Sequence, residues 1–243
     1  MVRSLLPVLT ALLCIVALPA SAQQLSLDLG GGESLTATSL QLIAIVTVLG
    51  LAPGILIMVT CFPFIVTVLA ILRQAVGLQQ SPPNMLIVSL ALFLTYFVME
   101  PVFTEAWTVA IEPLLAEQIE LSEALSRGSE PFRAFMSNRM DDQTFAAMAE
   151  LRETEGARFT PTNAPFSVLV PSFLLSEIAR AFQIGFLVFL PFLIIDLVVA
   201  AVLMSMGMMM VPPAIVSLPF KLAFFVIANG WSLIAGGLVK SYF

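Results

Sequence analysis

Met204-Ser205-Met206-Gly207-Met208-Met209-Met210-Val211-Pro212-Pro213 separates two long apolar stretches of this chain. Glycine admits backbone angles that other residues avoid, and two successive prolines block a continuing helix. The segment therefore reads as a turn closing a helical hairpin, with Gly207 as the break and Pro212 and Pro213 opening the next helix. Five of the twelve methionines fall between positions 204 and 210. Methionine is flexible and polarizable. Two readings fit this cluster. One is lipid-facing or core filler, which composition alone favours. The other is a deformable constriction in a pore.

The stretches on either side set the class. The chain has 243 residues, 59% hydrophobic and 11% charged, with a mean hydropathy of +1.02. Soluble domains carry about 25% charged residues. An all-α membrane protein is expected, built from two bent helical hairpins, or about four long apolar helices. There is no histidine, which excludes histidine metal sites, histidine bases and catalytic triads. Cys14 and Cys61 do not make a disulfide framework, since Cys14 lies in a leader segment. Glycine-rich phosphate loops, metal-spaced cysteines and G-x-S-x-G are absent from the sequence. No enzyme activity, metal, cofactor or nucleic-acid partner is expected.

The N-terminus reads as a signal peptide over residues 1–22. Arg3 is followed by an apolar run from Leu5 to Leu18 and by Pro19-Ala20-Ser21-Ala22, an A-x-A pattern with cleavage expected after Ala22. Residues 23–40 form a polar, glycine-rich lead-in. The first hairpin occupies residues 41–103. Ser34 to Leu72 is uncharged over 39 positions, more than one span needs. Pro53 and Pro63 are expected to bend or break it. The connector after Arg73 ends in Pro82 and Pro83, which start the return helix.

Residues 104–165 form an acidic, helical, extracytoplasmic insertion. Positions 104 to 160 hold eleven acids and five bases, the whole net charge of −6. The second hairpin is residues 166–243. Pro82-Pro83-Asn84-Met85-Leu86-Ile87-Val88-Ser89-Leu90 faintly echoes Pro212-Pro213-Ala214-Ile215-Val216-Ser217-Leu218. With a cleaved leader, Arg73 and the methionine turn face the cytoplasm, while the acidic insertion and Lys240 lie outside.

Glu177, Arg180, Asp196 and Lys221 lie in apolar surroundings, where a charge costs about 2.5–3.5 kcal/mol at the centre of a bilayer helix. Such groups find partners. Glu177 and Arg180 are spaced to share one helix face. Asp196 lies thirteen residues before Met209 and Lys221 twelve after it. Both are then roughly 18–20 Å from the tip, at nearly one depth. An ion pair within the hairpin or between subunits fits, and the rivals are a snorkelling lysine or a proton-relay carboxylate at Asp196. Trp107 and Trp231 suit interfaces, and Gly230, Gly236 and Gly237 suit close helix approach.

Four stretches carry a family likeness. Leu72-Arg73-Gln74-Ala75-Val76-Gly77-Leu78-Gln79-Gln80-Ser81-Pro82-Pro83-Asn84 resembles a signature of the FliP family of flagellar export-gate proteins. So do Ala181-Phe182-Gln183-Ile184-Gly185-Phe186-Leu187 and Leu190-Pro191-Phe192-Leu193-Ile194-Ile195-Asp196-Leu197-Val198-Val199-Ala200. Met206-Gly207-Met208-Met209-Met210-Val211-Pro212-Pro213, running into Ser217-Leu218-Pro219-Phe220-Lys221, is the strongest match.

The resemblance implies a core pore-forming subunit of the type III export apparatus in the bacterial inner membrane and flagellar basal body. Much of its mass would stand on the periplasmic side. It implies several copies in a helical pore with FliQ and FliR, working with FlhA and FlhB to pass unfolded flagellar subunits. It implies a gasket at Met206, Met208, Met209 and Met210, and ion pairs at Glu177, Asp196 and Lys221. An injectisome export subunit is similar, but the leader and the acidic insertion favour the flagellar branch. A transporter using Asp196 and a scaffold outside the pore are the remaining readings.

Overall fold

The structure is a computed structural model and describes residues 35–77, 82–152, 159–208 and 210–243. The expected signal peptide, most of the lead-in and Met209 lie outside the described residues. Two units are distinguished, Met1–Gly50 and Leu51–Phe243. In the first, the described residues belong to helix α1 (Leu35–Met58), with Ile43, Val46 and Leu49 exposed.

The second unit contains the end of α1 and eight further α-helices among the described residues. These are α2 (Phe62–Val76), α3 (Asn84–Ala106), α4 (Glu112–Leu115), α5 (Leu121–Arg139), α6 (Asp142–Glu150), α7 (Phe166–Ser205), α8 (Pro213–Ile227) and α9 (Gly230–Lys240). A π-helical turn, Trp107–Ile111, joins α3 to α4. Pro113 has no N–H for the Val109 carbonyl, and its ring crowds that oxygen. A widened turn relieves both effects.

No strand occurs among the described residues, and the protein is an all-α membrane protein. The run Asn84–Leu115 and α7 are each long and apolar enough to cross a bilayer, and the number rises to four if each of the bent pairs α1–α2 and α8–α9 is one span. At 1.5 Å per residue the 40-residue α7 is about 60 Å long. That is twice the hydrocarbon thickness of a bilayer, so only part of it fits in lipid.

The prolines act unequally. Pro53 lies inside α1, and the helix breaks later, at residues 59–61. Pro63 sits in the first turn of α2, where its missing N–H costs nothing. Cys61, at the break, is fully buried. Pro83 caps α3. Between the two, Gly77 closes α2 in the left-handed region, with φ 86°. Arg73 Nη1 then donates to Asn84 Oδ1 at 2.6 Å, tying the end of α2 to the start of α3.

The core forms where α2 crosses α7, and the sequence dictates the crossing. Along α7, Val168, Leu169, Ser172, Phe173, Ser176, Glu177, Ala181 and Gly185 are buried at helical spacing. Ser172 and Ser176 return their hydroxyls to the carbonyls of Val168 and Ser172 at 2.7 Å, so they add no unsatisfied donor to the stripe. At Gly185 a Cβ would stand 2.4 Å from Ile71 Cδ1, so glycine lets the two helices touch.

The opposing stripe on α2 is Phe64, Ile65, Val68, Leu69, Leu72 and Ala75. Helix α9 returns over the first hairpin through a 61° bend after α8. Its glycines differ. A Cβ at Gly230 would meet the Phe225 ring at 2.1 Å, whereas Gly236 and Gly237 face open space.

The acidic insertion packs against these helices by small apolar faces. Phe132 and Phe135 of α5 join the main core, and Phe145 and Ala149 of α6 join Ala164 and Val168. An apolar cavity of ≈ 730 Å³ lies between the end of α1, the π-helical turn and α5. Trp107 stands half exposed at its edge, and Trp231 packs edge-on against Phe225.

Candidate functional site

The methionine turn is built by a regular helix stop. Met206 caps α7, and Gly207 follows with φ 73°. The Met208 N–H donates to the Leu203 carbonyl at 3.0 Å and the Gly207 N–H to the Met204 carbonyl at 3.1 Å. This pairing satisfies carbonyls that the helix end leaves over, and its left-handed position suits glycine. Pro212 then caps α8, and Pro213 is its first residue.

The closure sets the side chains outward. Met206 is 66% exposed and Met210 98% exposed, with Met204 and Met208 also exposed. The turn carries no charge and contributes no carboxylate or thiol that could hold a metal. Among the described residues no group of three or more metal-ligating side chains occurs anywhere.

Along α7 the charges sit at two levels. Nearer the turn, Lys221 Nζ stands 2.6 Å from Asp196 Oδ2. Ser217 Oγ donates to the other carboxylate oxygen at 2.6 Å. Lys221 also donates to the Ala75 carbonyl at 3.1 Å, in the last turn of α2. A cation there meets the negative end of that helix. Lys221 therefore ties the second hairpin to the first. Its partner Asp196 is committed to two donors, which weighs against a free relay carboxylate.

At the far level Glu177 is fully buried. Arg180 Nη1 lies 4.0 Å from it, an outer-limit contact. The close partners come from elsewhere. Arg139 Nε, at the end of α5, donates to Glu177 Oε1 at 3.0 Å. The Tyr242 hydroxyl donates to Oε2 in a short hydrogen bond. Arg139 Nη1 reaches on to the Ser241 carbonyl at 2.5 Å, and its guanidinium lies 4.0 Å from the Tyr242 ring centroid. Burial, with Glu177 beside it, pushes the Tyr242 hydroxyl above the ordinary tyrosine range, so it stays a donor.

Arg139 and Tyr242 are site residues that sequence reading missed. Arg139 is one base in a charged, solvated-looking block. Tyr242 stands next to last in the chain. Neither spacing nor periodicity connects them, because they lie 38 and 65 residues from Glu177.

Next to this cluster, the Asp141 N–H donates to Ser176 Oγ at 3.0 Å. The Asp141 carboxylate caps α6 by accepting from the Thr144 N–H and hydroxyl, each at 2.9 Å. Those bonds hold its carboxyl below the usual aspartate range, the backbone N–H contributing most.

Comparison with known proteins follows the same outline. The profile described as the FliP family matches residues 45–238. A protein of Caulobacter vibrioides named "Flagellar biosynthetic protein FliP" is 50% identical over 242 residues, covering 98% of this chain and 90% of that one. One of the same name from Agrobacterium fabrum is 46% identical, covering 96% and 98%. Another, from Bacillus subtilis, is 45% identical, covering 84% and 92%. The Met turn and all four of the charges singled out along α7 and α8 fall within the matched span.

Proposed function

The chain belongs to the FliP family, and from that premise we propose that its methionine turn lines the closed conduit of a protein-export pore. The protein is a membrane-associated component of the flagellar export apparatus. The finer reading is a core subunit of the inner-membrane complex. Copies of this chain join FliQ and FliR, with FlhA and FlhB, and pass unfolded flagellar subunits.

One observation carries the pore reading. The chain spends a well-formed helix stop on presenting uncharged thioethers outward at the tip of a hairpin. Thioethers are soft and take many shapes. A ring of them excludes ions by dewetting yet yields to a polypeptide of any sequence. Charged or rigid side chains would select among cargoes. Asp196, the residue a solute transporter would use, is already held by Lys221 and Ser217.

The test replaces Met206, Met208, Met209 and Met210 with alanine in the assembled complex and measures ion conductance of the resting membrane. The expected result is leak with retained subunit levels. A membrane as tight as the parent's, with export unchanged, sinks the conduit reading and leaves a scaffold.

A further inference from the structure

Glu177 is a carboxylate with no access to water. A buried charge must be paired and hydrogen-bonded. Helix α7 itself supplies only the distant Arg180. The two oxygens are instead filled by Arg139 from the acidic insertion and by Tyr242 from the chain's end. Arg139 in turn fills one of its remaining donors with the Ser241 carbonyl. The ion pair is therefore a three-body arrangement, complete only with the C-terminal residues in place.

Packing reinforces it. The Tyr242 ring stacks on Phe135 of α5 with centroids 6.0 Å apart and stands edge-on to Phe64 of α2 at 5.6 Å. One residue thus touches α2, α5 and α7. The next residue, Phe243, is 80% exposed and takes no part.

We propose that Ser241 and Tyr242 are a latch that locks the acidic insertion onto α7 and so admits only correctly threaded chains to assembly. Without them, Arg139 and Glu177 keep each other, but Arg139 Nη1 loses its acceptor and Glu177 Oε2 its donor. The latch closes only if α9 has folded back over the first hairpin. It also requires the C-terminus and the acidic insertion to stand on one side of the membrane. A chain with an inverted or missing final helix leaves the Glu177 site open and the insertion loose.

The experiment compares four chains in their native membrane. One is the parent, one stops after Lys240, one carries Tyr242→Phe, and one has a short Gly-Ser extension after Phe243. Trypsin is applied to the extracytoplasmic side. The rate of cleavage after Arg139 is read from the peptides, and assembly is read on native gels.

The truncated chain should be cut at Arg139 about tenfold faster or more, the population shift expected from losing a hydrogen bond to a charged group, and its assembled species should disappear. Tyr242→Phe keeps the ring and loses only the hydroxyl. It should move both readouts the same way by a smaller factor, and it decides the matter if the truncated chain does not insert. The extended chain should match the parent. The latch is overturned if Arg139 stays as protected in the Tyr242→Phe and truncated chains as in the parent. It is equally overturned if the extension behaves like the truncation. Cleavage at Arg139 reads the latch whether or not the methionine turn lines a pore.

Discussion

The two ends of α7 are built on opposite rules. From Val168 to Gly185 one stripe is buried at nearly every turn, and it contains a fully buried carboxylate. From there to the tip only Phe192 and Leu203 are buried. The first end is held by α2, α5, α6 and the C-terminus. The second meets α8 through Phe192 and the Asp196–Lys221 pair and ends in exposed methionines. The difference teaches where the protein is fixed and where it is left adaptable. Buried ionic and aromatic contacts specify one arrangement. Uncommitted thioethers specify none, as the proposed conduit lining requires. The Asp196–Lys221 pair marks the border between the two regimes.

The largest expected effect breaks the fixed end. Arg139→Ala leaves the Glu177 charge buried beside only the Tyr242 hydroxyl and the remote Arg180. Removing one partner of a buried pair costs about 3–5 kcal/mol. Thermal denaturation of the purified full chain should show that loss. Replacing both groups together by Arg139→Met and Glu177→Leu should cost far less, because no uncompensated charge remains. If the single and double variants lose equal stability, the cluster matters for its packing and not for its charge.

A smaller effect is expected at the border. Asp196 is 32% exposed, so water replaces part of what Asp196→Asn removes, and a loss of about 1–2 kcal/mol is expected. Exchanging the pair by Asp196→Lys with Lys221→Asp should restore only part of it. The exchange puts a carboxylate against the Ala75 carbonyl, at the negative end of α2. Full recovery would mean that the link between the hairpins contributes nothing beyond the local pair.

The same border divides what the sequence reveals from what it hides. The hairpin, the turn residues and the apolar spans follow from local rules, namely proline and glycine placement and runs without charge. Asp196 and Lys221 lie on consecutive helices joined by one short turn, so counting residues from the tip sets them level. Glu177 offered a neighbour at i+3, but that neighbour lies 4.0 Å away, and the close partners are set by tertiary packing. Proline alone did not locate the breaks either. Pro53 lies inside a helix that ends several residues later. Gly185 and Gly230 look no different in sequence from Gly236, and only the approach of Ile71 and Phe225 separates them.

The smallest expected effect sharpens the comparison by loosening one end alone. Asp141 caps α6, and its backbone N–H holds Ser176 beside the Glu177 cluster. Its carboxyl is held below the usual value by the Thr144 N–H and hydroxyl. A depressed folded value means that the folded state binds fewer protons, so the stabilisation is present above the unfolded aspartate value of about 3.9. It is lost as pH falls through the folded value. The site is solvent-exposed, so the effect is modest. Acidification below about pH 4 should speed pepsin cleavage near Phe145 in the parent more than in Asp141→Ala, whose cap is already gone. The ratio of the Asp141→Ala rate to the parent rate, largest toward about pH 5, should approach one at about pH 2. Cleavage at the methionine turn should keep the same ratio throughout, since Asp141 touches only the other end of α7. A ratio near Phe145 that stays constant with pH would show that the cap acts through its shape and not its charge.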